Sequence, residues 1–103
     1  MEQFEQLNKV EISGIVDRCR SSVVHNKRHT CFNVASPRLD IDEEGNRAIE
    51  ITWLQCCTFY APEGLSDGAR VKVSGRLHNQ KVVDAEGKAH YETEILAQSV
   101  EIL

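Results

Sequence analysis

The feature that most constrains the fold lies in the last third of the chain, Gly68 to Leu103, which reads GARVKVSGRLHNQKVVDAEGKAHYETEILAQSVEIL. Val71, Val73, Gly75 and Leu77 alternate with Arg70, Lys72, Ser74, Arg76, His78 and Gln80. Period-two alternation is the pattern of a strand with one buried face. It spans about residues 69–82. The polar segment DAEGK then turns the chain into a second long strand, about His90 to Leu103. Ile95 and Ala97 share one phase there, and Val100 and Ile102 share the other. Such a break in alternation reads as a β-bulge.

The rest of the chain supplies three more strands. Val10, Ile12, Gly14 and Val16 face one way in a strand from about Asn8 to Cys19, and Glu11, Ser13, Ile15 and Asp17 face the other. Gly14 in mid-strand marks a bend, which in a small barrel lets one strand serve both sides of the closure. The polar, basic stretch RSSVVHNKRH (residues 20–29) reads as a loop, with a short strand edge at Val23 and Val24. A second strand covers Thr30 to Pro37 with Phe32 and Val34 inward, and Pro37 is expected to end its pairing. Leu39 to Asn46 is a connection with EEGN as its turn. A third strand covers Arg47 to Tyr60. It places Trp53, Gln55, Cys57 and Phe59 on one face and Leu54, Cys56 and Thr58 on the other. The segment APEGLSDG is too broken for more than one helical turn. Five strands with almost no helix, two of them long and one bent at glycine, predict an all-β, five-stranded barrel with a long hairpin between strands four and five.

At 103 residues the chain is one domain, residues 1–103, with residues 1–7 expected to be flexible. No run approaches 18 apolar residues, so no membrane span is expected. The start MEQFEQLNKVEIS is polar and acidic where a secretory signal would be basic and then apolar, which points to the cytoplasm. The formal net charge is -4, unevenly spread. Residues 1–39 carry +2, residues 40–68 carry -6, and residues 69–103 are balanced. The acidic excess centres on Asp40 to Glu44.

Cys19, Cys31, Cys56 and Cys57 contain no C-x-x-C pair. They read as reduced thiols, half of them buried as small hydrophobes, and no metal site is expected. The chain has no G-x-S-x-G, no P-loop and no glycine-rich dinucleotide loop, so an enzyme is not expected and no cofactor is called for. Asp40, Asp42 and Glu44 alternate without the longer pattern of a calcium loop.

What remains is an exposed face. Trp53 and Phe59 lie on the outer side of one strand, and Arg70, Lys72, Arg76 and His78 on the outer side of another. Exposed aromatics beside cations suit stacked bases and a phosphate backbone, whatever the base sequence. The cluster Arg18, Arg20, Lys27, Arg28 and His29, with Lys81 on the hairpin, adds positive charge beside that face. Reading a duplex normally takes a helix or ribbon in the major groove, so a flexible single strand is the better expectation.

The segments NKVEISGIV, CFNVASPR, ITWLQCCTFY and GARVKVSGRLHNQKVVDAEGKAHYETEILAQSVEIL resemble the bacterial single-stranded DNA-binding protein family, of the oligonucleotide-binding fold. The resemblance covers nearly the whole chain from Asn8, and its specific part is GxRVxVxGRL…DxEGKxxYxTEIxAxxV. It implies sequence-tolerant binding and protection of single-stranded DNA in replication, recombination or repair, without catalysis. It also implies base stacking at Trp53 and Phe59. Two further aromatics of the family are missing: one position holds Val82, and the other falls near Leu39 to Asp42. Weaker binding per protomer or a different DNA path is expected. The family's short helix between strands three and four is replaced by APEGLSDG. Its long acidic-tipped tail is not seen after Leu103. Either the tail has been removed or this is a short member, similar to the tail-less, dimeric primosomal replication protein. A homotetramer or homodimer is implied, with replication or restart proteins as further partners. The alternative is a barrel that has lost DNA and binds protein.

Overall fold

The computed structural model describes residue 5 and residues 7–103. The expected flexible segment over residues 1–7 therefore falls mostly outside the described residues. The described residues form five strands: β1 (Val10–Val24), β2 (Lys27–Ile41), β3 (Arg47–Thr58), β4 (Arg70–Val83) and β5 (Ala89–Ile102). They close into a barrel in the order β1-β2-β3-β5-β4, with β4 returning to β1. This is the all-β, five-stranded barrel expected from the alternation, and the oligonucleotide-binding fold that the resemblance implies. Among the described residues no helix is long and apolar enough to cross a membrane.

Closure depends on β1 changing partners. Val10 to Ile15 pair with β4, and from Ile15 onward β1 pairs with β2. Gly14 sits at that hand-over. A Cβ there would land on the Ala35 carbonyl oxygen, with Val34 Cγ1 only 2.9 Å away, so the two backbones can approach only at glycine. The anticipated break in β5 is also present: Ser74 pairs with Ser99 but Gly75 with Ala97, leaving Gln98 as the extra residue. Inside lie Val16, Phe32, Val34, Cys56, Val71, Val73, Ile95 and Ala97. These are the inward positions of the period-two pattern. Each large apolar side chain buried this way stabilises the fold by about 1.5–3 kcal/mol.

Three expectations are corrected. Residues 20–29 are not a loop. β1 runs to Val24, β2 starts at Lys27, and only His25 and Asn26 turn between them, with φ of 51° and 63°. Positive φ at both central residues is the turn whose twist matches paired strands. Pro37 does not end β2, because it pairs opposite Ile51 and the strand continues to Ile41. Among the described residues β2 has only β3 beside it beyond Ala35, and an open edge tolerates a residue without a donor. Finally, Cys31 and Cys57 are joined as a disulfide, while Cys19 and Cys56 are free. The two sulfurs meet because these residues are register partners on β2 and β3, with Cα atoms 4.2 Å apart.

Candidate nucleic-acid interface

Alternation and register together define the outer face of the barrel. Along β3 that face carries Trp53, Gln55 and Cys57, followed by Phe59 just past the strand end. Trp53 is 57% exposed and Phe59 45%, and other large side chains, Tyr60 and Tyr91 among them, are exposed as well. On β2 the same face carries Lys27, His29, Cys31, Asn33 and Ala35. On β1 it carries Arg20, the partner of Cys31. On the other side, Gln55 lies beside Glu94 of β5, which lies opposite His78 of β4, and Arg76 pairs with Leu96.

The side chains along this row touch. Arg20 Nη2 donates to Gln55 Oε1 at 3.2 Å, and its Nη1 donates to the Arg18 carbonyl at 2.9 Å. Gln55 Nε2 donates to Glu94 Oε2 at 3.3 Å. Glu94 Oε1 meets His78 Nδ1 at 3.2 Å. The His29 ring packs on Phe59 with centroids 4.6 Å apart. The glutamine thus links the β1 cation to the β5 carboxylate, while Trp53 stands exposed and Phe59 keeps part of its ring exposed beside His29. Polar groups held by one another and aromatics left exposed form a surface on which a base can stack.

Of the residues singled out by sequence, the fold brings Trp53, Phe59, Arg20, Lys27, Arg76 and His78 onto this face. Arg18 sits in the β1 bulge at φ 52°, with its carbonyl bound by Arg20. Arg28 alternates to the other side of β2 and lines a groove with Cys19, Thr30 and Pro62. Arg70 and Lys72 lie farther down β4 against β1, where Lys72 pairs with Glu11 at 3.9 Å. Lys81 pairs with Tyr91 on the projecting β4–β5 hairpin, on the side away from His78. Val82, at the position of a missing aromatic, keeps the parity of His78.

Sequence reasoning missed Glu94. It is a carboxylate only 7% exposed in the middle of the row, and nothing in YETEI marks it as buried. It also missed that donor atoms of His29, Cys31 and Cys57 gather within 4.8 Å of one another. Spacing along the chain could not reveal it, since Cys31 and Cys57 are 26 residues apart. The free thiols differ from that pair. Burial pushes the Cys56 thiol up from its ordinary 9.0 to about 12. Burial and then the neighbouring Asp67 carboxylate raise that of Cys19.

Residues 7–103 match the family model described as the single-strand binding protein family. Among solved structures, the Plasmodium falciparum SSB in complex with ssDNA is similar with a TM-score of 0.83. It is 19% identical and the match covers 99% of each chain. The small single-stranded DNA-binding protein from Streptomyces coelicolor is similar with a TM-score of 0.65 at 16% identity, over 91% of this chain and 92% of that one. At these identities the structural likeness speaks for the fold, while the family model speaks for descent. No curated protein matches the sequence.

Proposed function

The chain belongs to the single-strand binding protein family, a non-catalytic family that binds single-stranded DNA, and we propose that it does so on the outer row of β2, β3 and β5. The observation that carries this reading is Trp53, more than half exposed on a barrel whose core is complete without it. Trp53 and Phe59 stack bases. Arg20, Lys27 and Arg76 take phosphates, with His78 beside them. Stacking is blind to base identity, so binding is sequence-tolerant. Three cations on phosphate give a log-log salt slope of about -2 per protomer, from roughly -0.7 per phosphate on single strands. The role is protection of single strands in replication, recombination or repair, in the cytoplasm.

Self-association completes the proposal. Among the described residues, β1 is paired with β4 alone over Val10 to Gly14, which leaves one edge open. An open edge invites a second copy, so a homodimer, or a homotetramer built from two, pairs there. Replication or restart proteins are further partners of the assembled form. A stable monomer in sedimentation at micromolar concentration would remove the self-pairing part.

The test of DNA binding uses the only tryptophan. Oligo-dT is titrated into the protein at low and at moderate salt while Trp53 fluorescence is followed. Saturable quenching that weakens with salt supports stacking at Trp53. Absence of quenching, together with no mobility shift, points instead to a barrel that binds only protein.

A further inference from the structure

We propose that the dithiol form of this protein holds one zinc-class ion on the outer face, through His29, Cys31, Cys57 and Glu94. The donors come from three strands. The side-chain donor atoms of His29, Cys31 and Cys57 lie within 4.8 Å of one another, with Cys31 Sγ 3.7 Å from His29 Nδ1. On the other side, Cys57 Sγ lies 3.4 Å from Glu94 Oε2. Ligands around a tetrahedral zinc with bonds of about 2.0–2.3 Å sit about 3.3–3.8 Å apart, near the His29–Cys31 and Cys57–Glu94 spacings, and the two sulfurs must part to that distance once the disulfide is reduced. Two thiolates, an imidazole and a carboxylate form a donor set suited to zinc or cobalt(II), not to magnesium or calcium.

The surroundings have the character of a metal site's outer shell. Glu94 is nearly buried, and its second oxygen is held by His78 Nδ1 at 3.2 Å. The His29 ring is braced by Phe59. Outer partners of this kind orient ligands and raise affinity. Cys56, the chain neighbour of Cys57, points into the core and cannot compete.

The ion and the disulfide exclude each other. A phosphine reductant gives two electrons to the Cys31–Cys57 bond. Water supplies the oxygen of the resulting phosphine oxide and two protons, leaving two thiols. Metal binding then releases both thiol protons as the thiolates ligate. Cellular thiols reduce the same bond, with two of them becoming one disulfide.

The experiment uses the full chain, reduced with a phosphine under nitrogen and titrated with cobalt(II). The expected result is thiolate-to-cobalt absorption and tetrahedral visible bands that saturate at one equivalent and bleach with one equivalent of zinc. Cys31→Ser and Cys57→Ser should each lose the absorption, while Cys19→Ser retains it. Glu94→Gln should shift the visible bands. His78→Gln should weaken binding about tenfold without moving them. The oxidised chain should show no absorption. A reduced wild type without cobalt absorption, or a Cys31→Ser protein with the full spectrum, would overturn the proposal, and neither result bears on DNA binding.

Discussion

Within β2, Phe32 is fully buried, whereas Leu39, seven residues later on the same strand, is 63% exposed. The difference is one of face as well as of neighbours, because an odd spacing along a strand turns Leu39 to the Trp53 side. At Phe32 the strand lies between β1 and β3 and its inward side chain meets the whole core. Beyond Ala35 it pairs, among the described residues, with β3 alone. The β2–β3 arm leaves Leu39, Ile41, Ile49 and Ile51 all exposed on the face that continues from Trp53. A two-stranded ribbon is marginal by itself. The arm is held by its turn, where Asp42 Oδ1 accepts from the amides of Glu44 and Asn46 and Gly45 adopts φ 84°. The β4–β5 arm repeats the device: Asp84 Oδ1 accepts from Glu86 and Lys88, with Gly87 at φ 83°. Packing between distant segments holds the barrel, and local turn chemistry holds the arms. Stability and surface chemistry are thereby separated along the same strands.

Substitutions can break that separation if it is wrong. Phe32→Ala empties the centre of the barrel and should cost about 3–5 kcal/mol in urea unfolding. A loss below about 1 kcal/mol would mean the core is not where stability resides. Cys56 offers a test by pH. Its thiol stays protonated to about 12 in the folded chain but ionises near 9.0 in the unfolded one. Between those values the unfolded state binds fewer protons, so stability falls as pH rises from 9 towards 12. The urea midpoint should drop less steeply over that range in Cys56→Val than in wild type. Ile49→Thr, on the arm, should change stability by no more than about 0.5 kcal/mol. A larger loss would show that the arm's apolar face already packs against something.

How much of this was legible in the sequence follows the same division. The inward residues Phe32, Val34, Val71, Val73 and Ile95 stood out because they alternate with polar neighbours. The DAEGK and EEGN turns stood out because glycine sits where φ is positive. The β1–β2 hairpin did not. Arg20, Ser21 and Ser22 are polar on both faces, and its turn uses His25 and Asn26 without glycine. On the candidate face, Trp53 and Phe59 were legible from parity. The meeting of Cys31 with Cys57, and of Glu94 with His78, was not. Both depend on the exact register of strands paired across hairpins, 26 residues apart for the cysteines and 16 for Glu94 and His78, which alternation along one strand does not encode.

The most direct test of the central claim is a pair of measurements on Trp53→Ala: its affinity for oligo-dT by anisotropy, and its urea midpoint. An exposed stacking residue outside the core should lose about 1–3 kcal/mol of binding, roughly five- to 150-fold, with the midpoint unchanged. Wild-type affinity in that variant, or a collapsed midpoint, would contradict the account.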